Sequence, residues 1–360
     1  MSVNLYIAST PRHVYQAVGL AFSLNKDSTA YLLVFGIQKD TALMDACNRA
    51  ECSPFLKVVF IDQAAPATLN RWKEFKQLKG FVSNWVGEIR PDFVFFGNDF
   101  KPLSQWILYC CKSTNPGCQI TYVDEGIASY FYAFSSHRRW IEKVEGRIKS
   151  VLYGSWYVRP KVIGSSKYVD SALFTFPECR QIEYGDIHAE LLSPNIFHSE
   201  DVKQFVDCVV EDKVLMTNVD KLDVVFLLPS MNLVPALYGT METLRNILAR
   251  IIDLGYMVGL KYHPKDYQGD LDLEAGLDVL RLPSYLPAEL IFSKLKSTTH
   301  VLGDVSSALF TAKWLLTDSL VLAIVMQESV YTDTRRPLFN QIGVEFATDE
   351  RALTLLAARV

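Results

Sequence analysis

No Cys-x-x-Cys pair and no Cys/His run of zinc spacing occurs among the seven cysteines (Cys47, Cys52, Cys110, Cys111, Cys118, Cys179 and Cys208), which excludes the familiar zinc modules. Their odd number fits reduced, mostly buried thiols of a cytosolic protein better than a disulfide framework. No apolar run approaches the roughly 20 residues that a membrane-spanning helix requires. The opening residues Met1 to Ser9 lack the basic region and long apolar core of a signal peptide, and read instead as a first strand. Positive charge is in slight deficit: 36 Lys and Arg face 40 Asp and Glu, for a formal charge of −4. A field of that sign does not favour nucleic acid, and no RNA-binding signature is present. Also missing are a GxGxxG fingerprint, internal repeats and low-complexity segments.

What is present is length, apolar content and alternation. A chain of 360 residues that is 49% hydrophobic can support two domains, each with its own core. Leu5 to Ala8, Ala30 to Phe35, Leu56 to Ile61, Asp92 to Phe96 and Gln119 to Val123 are short apolar runs consistent with strands buried on both faces. Helix-length stretches separate them, at Arg12 to Ser23, Thr41 to Ala50, Ala67 to Glu88 and Pro102 to Cys111. That spacing gives a parallel sheet covered on both sides. From about Ala133 to Lys221 the pattern loosens. It resumes with strands at Val224 to Leu228, Met257 to Tyr262, Val279 to Leu282, His300 to Leu302 and Leu320 to Ile324, and a closing helix at Asp349 to Arg359. The expected class is therefore α/β, with two Rossmann-like, doubly wound domains facing a central cleft, residues 1–215 and 216–360, the arrangement called GT-B.

Inside the loosened region, residues 137–161 carry Arg138, Arg139, Lys143, Arg147, Lys149, Arg159 and Lys161 against Glu142 and Glu145, with Trp140, Trp156 and Tyr157 among them. This basic stretch reads either as a solvated helix and loop or as a peripheral contact with an anionic membrane or acceptor.

Three blocks carry chemistry, each at the end of an apolar run where open α/β sheets hold their ligands. In Thr121-Tyr122-Val123-Asp124-Glu125-Gly126 a strand breaks into two carboxylates, either of which, partly desolvated, could take a proton from a sugar hydroxyl. In Leu260-Lys261-Tyr262-His263-Pro264-Lys265-Asp266 the proline biases His263 toward extended backbone, holding an imidazole at a strand end beside the cation of Lys261. Such a histidine can stand next to a phosphate or protonate a departing phosphate oxygen. Ser306-Ser307 opens a helix, where hydroxyls and free N–H groups bind phosphate or simply cap the helix. Glu289 begins another helix, as a first-turn charge or as an acceptor for ribose hydroxyls, and Asn98-Asp99 closes the fourth strand.

As an ordered set, Asp124-Glu125-Gly126, His263-Pro264 and Ser306-Ser307 resemble the D/E-D/E-G, HP and paired Ser/Thr motifs of bacterial GT-B sialyltransferases of the polysialyltransferase-like and lipooligosaccharide types. Leu282-Pro283-Ser284 with Pro287-Ala288-Glu289, and the opening Leu5-Tyr6-Ile7-Ala8-Ser9-Thr10-Pro11, extend the resemblance. It implies inverting, metal-independent transfer of a sialic or related nonulosonic acid from its CMP ester, with no cofactor, to a glycan or glycolipid of the cell surface. One carboxylate of Asp124 and Glu125 would be the base, with a lean toward Asp124, and His263 the general acid. Lys261, Pro264, Glu289, Ser306 and Ser307 would hold CMP. Ser9, Thr10, Asn98, Asp99 and Gly126 would lie on the acceptor side. No metal ligand is implied, and no DxD sits in a suitable loop. The expected location is cytoplasmic, either free or peripheral at the inner face of the membrane. Two alternatives stand beside this reading. One is a GT-B enzyme with another donor (CMP-Kdo, a nucleotide-diphosphate sugar or a CDP-polyol), leaning on His13 if phosphoryl transfer is involved. The other is a non-catalytic glycan-binding relative.

Overall fold

The computed structural model describes residues 1–24, 27–37, 41–61, 68–131, 136–210, 218–264 and 273–359, without the side chains of 68–74, 136–143 and 145. The chain divides into two units, Met1–Val209 and Val210–Val360. The expected boundary at 215, and Lys265 and Asp266, lie outside the described residues.

Seven strands form the first sheet: β1 (Ser2–Ala8), β2 (Ser28–Phe35), β3 (Lys57–Ile61), β4 (Phe93–Phe96), β5 (Gln119–Val123), β6 (Ser171–Phe174) and β7 (His188–Leu191). They are parallel throughout, in the order β3-β2-β1-β4-β5-β6-β7. Consecutive residues of a strand face opposite sides of a sheet, so the burial of Leu5, Tyr6, Ile7 and Ala8 together means that both faces are covered. Tyr6 of β1 stacks on Phe95 of β4 with ring centroids 5.1 Å apart. Pairing of Ile7 with Phe96 brings the carboxyl ends of these two strands level. The strand order reverses between them, and at such a reversal the connections leave in opposite directions and open a crevice at the sheet edge. The helix Pro11–Leu24 starts in this crevice: the Thr10 hydroxyl accepts from the His13 N–H at 3.2 Å, and Pro11 supplies a preset φ in the first turn.

The second sheet consists of β8 (Val224–Leu227), β9 (Val258–Lys261), β10 (Val279–Leu282), β11 (His300–Gly303), β12 (Val321–Ile324) and β13 (Glu345–Ala347). It too is parallel, ordered β10-β9-β8-β11-β12-β13, and reverses between β8 and β11. One face packs on the helix Met241–Asp253 through Leu244, Ile247, Leu248 and Ile251, all buried with Val224, Phe226, Val258 and Leu260. Full burial of such a side chain is worth about 1.5–3 kcal/mol, so this cluster dominates the unit's stability.

Three strands, β6, β7 and β13, were not expected from the sequence. β7 (His188-Ala189-Glu190-Leu191) and β13 (Glu345-Phe346-Ala347) lack a continuous apolar run, β6 lies where the alternation loosens, and β7 is an edge strand with most of its side chains exposed.

Candidate active site

The adjacent acids after β5 meet opposite fates. Asp124 is fully buried and accepts from five donors: Arg12 Nη2 at 3.2 Å, Gly126 N at 3.0 Å, Thr175 N and Oγ1 both at 2.7 Å, and the Tyr130 hydroxyl. Its carbonyl oxygen takes a further bond from Gln16 Nε2 at 2.9 Å. The carboxylate thereby ties the turn to the first helix and to the end of β6, leaving no lone pair for a substrate. The lean toward Asp124 is thus corrected, because its charge is consumed in holding the turn. Gly126, at φ +78° and ψ −143°, adopts a backbone that glycine alone enters readily, and a Cβ there would press on the Arg12 guanidinium at 3.2 Å.

Glu125 is the available acid. Its side chain is 17% exposed, Oε2 accepts from Asn98 Nδ2 at 2.8 Å, and Oε1 lies 3.7 Å from His13 Nε2. Burial raises its pKa from 4.5 to about 7, against the lowering effect of Asn98, Lys101 and Arg12. A carboxyl poised near neutrality, with one edge open, is suited to general base chemistry.

The acceptor-side candidates divide. Asn98 contacts Glu125 directly, and its Oδ1 accepts the Phe100 N–H at 3.0 Å. Asp99 is corrected: it is wholly buried, accepts the Gly164 and Ser166 N–H groups at 2.7 and 2.8 Å, and therefore straps a loop down instead of facing an acceptor. Burial raises its pKa to about 6. Ser9 is buried, with its N–H on His13 Nδ1 at 3.2 Å and its Oγ 3.4 Å from the same nitrogen, and the Thr10 hydroxyl accepts from the His13 N–H.

The sequence reading missed Arg12, Lys101 and Gly97, and named His13 only for another chemistry. Gly97 follows β4, and a Cβ on it would sit 2.2 Å from His13 Nε2, so the imidazole fills the space that glycine leaves. The signal was positional: Arg12 and His13 open the first helix and Gly97 ends β4, on the two sides of the strand-order reversal.

In the second unit the remaining candidates share the carboxyl edge of the sheet. His263, half-buried, and Pro264, exposed, follow β9, Glu289 lies in the first turn of the helix Ala288–Phe292 after β10, and Ser306 and Ser307 follow β11. Ser306 caps the helix Ser307–Leu315 by accepting from Leu309 N at 3.3 Å, whereas Ser307 is exposed. Lys261 is corrected in surroundings: 5% exposed, it donates to the carbonyls of Tyr262 and Ser284 at 3.2 and 3.0 Å and ties β9 to the loop after β10. Burial lowers its pKa to about 8, with Glu289 acting in the other direction. Asp304, unexpected and 3% exposed, is raised by burial to about 6 beside Ser306 and Tyr331. Among the described residues no group of three or more His, Cys, Asp or Glu side chains is placed to hold a metal ion, and no helix is long and apolar enough to cross a membrane.

Two parallel α/β units of this kind, each reversing its strand order beside polar side chains, have the GT-B fold. The sequence matches the alpha-2,8-polysialyltransferase (POLYST) family over residues 4–324. The chain belongs to that family. Among solved structures it is similar to the alpha/beta-galactoside alpha-2,3-sialyltransferase of the luminous marine bacterium Photobacterium phosphoreum, at 14% identity and a TM-score of 0.55 over 96% of this chain and 98% of that one. It is similar also to the UDP-GlcNAc 2-epimerase of Methanocaldococcus jannaschii, at 11% identity and a TM-score of 0.55 over 100% and 92% of the two chains. At such identities the likeness is one of fold. No curated protein sequence matches.

Proposed function

We propose that this glycosyltransferase moves a sialic acid, or a related nonulosonic acid, from its CMP ester to a hydroxyl of a cell-surface glycan such as capsule or lipooligosaccharide, with inversion and without a metal. The observation that carries the reading is Glu125: a carboxyl at the strand-order reversal, raised to about 7 by burial, in a chain of the polysialyltransferase family. The acceptor oxygen attacks the anomeric carbon as the bond to the CMP phosphate oxygen breaks. Glu125 takes the hydroxyl proton, and CMP leaves with the bonding pair. His263 protonates or faces the departing phosphate, and Ser306 and Ser307 supply hydrogen bonds to it at a helix N-terminus. Glu289 accepts from the ribose, and Lys261 supports the charge from beneath the β9 end. A thermal-shift and hydrolysis screen with CMP-, UDP-, GDP- and CDP-linked donors tests the donor class. Stabilisation and hydrolysis by CMP-sugars alone are expected, and selective response to a diphosphate donor overturns the proposal.

The protein works at an anionic membrane surface, on the cytoplasmic side, through the helix Ser136–Tyr153, which overlaps the basic stretch 137–161. Val144, Ile148, Val151 and Leu152, spaced to share one helix face, are 38%, 55%, 84% and 60% exposed. An apolar stripe on a segment with about five excess positive charges is complementary to an anionic lipid surface. Co-sedimentation with phosphatidylglycerol vesicles, weakened by salt and lost in Val151→Glu/Leu152→Glu, is expected. Equal binding to neutral phosphatidylcholine vesicles, or self-association without lipid, overturns it.

A further inference from the structure

The imidazole of His13 is buried, yet its Nε2 has no hydrogen-bond partner and stands 3.7 Å from Glu125 Oε1. On the other side of the ring, Nδ1 receives the Ser9 backbone N–H at 3.2 Å, with the Ser9 hydroxyl, which can also donate, at 3.4 Å. A backbone amide can only donate, so Nδ1 carries no proton and the neutral ring bears its hydrogen on Nε2. The structure thus places an N–H with no resting partner beside one oxygen of the carboxyl, while Asn98 Nδ2 already holds the other at 2.8 Å. Gly97 makes room for this ring, since a Cβ would lie 2.2 Å from Nε2.

We propose that His13 is a positioning residue for Glu125: its Nε2–H, oriented by the Ser9 amide, closes onto Oε1 and fixes the carboxylate between His13 and Asn98 while the acceptor hydroxyl approaches. The proposal rests on the reading of Glu125 as base. At 3.7 Å the contact is too long for a hydrogen bond while the carboxyl is neutral, and a small rotation of the Glu125 side chain closes it as the acid ionises, in the unliganded protein as well as in the complex. Each carboxylate oxygen keeps a second lone pair, so being held on both sides still leaves one for the incoming proton. The groups facing the acid from every packed element are Arg12 and His13 on the first helix, Asn98, Asp99 and Lys101 after β4, and Tyr122 on β5. Burial, with Arg12 and Lys101 adding to it, lowers the pKa of His13 to about 3, so the ring acts as a neutral donor and not as an acid at ordinary pH.

Two measurements on the unliganded protein read the role without assuming a substrate. Long-range 15N NMR on the parent is expected to show the Nε2–H tautomer from about pH 5 to 8, below which a ring of lowered pKa begins to titrate. Carboxyl 13C titration is expected to place the Glu125 midpoint higher in His13→Asn than in the parent by about half to one pH unit, because a donor to the charged form has been lost. His13→Gln, whose amide can reach the Nε2 position, restores the parental midpoint. In turnover of CMP-sialic acid the same shift appears in the acid limb of kcat, with donor KM unchanged. An Nδ1–H tautomer, or an unmoved midpoint in His13→Asn, overturns the proposal, and if that variant does not fold, the parent's tautomer and the His13→Gln midpoint decide. Glu125→Gln separates the two ideas: parental turnover in that variant removes the base reading, whereas an inactive Glu125→Gln beside a parental His13→Asn removes only the positioning role.

Discussion

Asp124 and Glu125 are covalent neighbours with opposite surroundings: the first is enclosed by five donors, while the second keeps an open edge and carries a pKa raised to about 7. The pair therefore separates structure from chemistry within a single turn. Removing the Asp124 charge leaves the partly buried Arg12 and the Thr175 and Gly126 amides without their acceptor, and breaking a pair whose acid is fully buried costs about 3–5 kcal/mol. Asp124→Ala is expected to lower Tm by roughly 10 °C and to lose activity only as a consequence. Glu125→Gln is expected to keep its Tm near pH 4, to be no less stable than the parent at higher pH, and to lose turnover by about two to four orders of magnitude. Calorimetry alongside a transfer assay checks the contrast, and a stable but inactive Asp124→Ala reverses the assignment.

The pH dependence of stability has a definite sign. Burial raises the folded pKa of Glu125 above its ordinary 4.5, so its neutral form contributes stability that is fully present below about 4.5 and lost as pH rises through about 7. Asp99 and Asp304, each raised by burial to about 6, act in the same direction from about 3.8 upward. Glu125→Gln removes one of these losses and is expected to be more stable than the parent at pH 8 by about 1–3 kcal/mol, a gain that vanishes near pH 4. Denaturant titrations at pH 4, 6 and 8 measure it. The proposed base role of Glu125 predicts that parental turnover rises with pH through about 7.

His263 is half-buried at the end of β9, outside the core. His263→Ala is accordingly expected to unfold at the parental temperature while turnover falls by about two to four orders of magnitude. Near-normal turnover removes His263 from the departure of CMP.

The two serines after β11 differ in kind. Ser306 caps its helix through Leu309 N, so Ser306→Ala is expected to cost about 1 kcal/mol of stability. Ser307 is exposed, and Ser307→Ala is expected to leave stability within about 0.5 kcal/mol. Calorimetric titration with CMP should show affinity weakened about tenfold or more in Ser307→Ala, the loss of a hydrogen bond to a charged group. Unchanged affinity in both variants rules out phosphate contact here.

Much of the fold was legible because strands buried on both faces spell continuous apolar runs, as at Leu5 to Ala8 and Val224 to Leu227. Hidden were β7 and β13, which His188, Glu190 and Glu345 keep from spelling an apolar run, and β6, in the stretch where the alternation loosens. The turn Asp124-Glu125-Gly126 could be located from sequence, but the roles of its acids could not. These roles depend on partners 112 residues upstream, at Arg12, and 51 residues downstream, at Thr175, which no local pattern announces. Ser306 was open to two readings in the sequence, and the Leu309 contact shows the capping one. Lys261 reads in the sequence as a cation beside His263, and its burial is not foreseen there because a strand-end lysine carries no mark of the carbonyls it will meet.

Asn98 and Asp99 pull in different directions from one short segment, the first on Glu125 and the second on the amides of Gly164 and Ser166. The loop is geared to the proton affinity of the acid through two consecutive side chains. A substitution at residues 162–166, away from the sugar chemistry, becomes a means of tuning the pH at which the enzyme works.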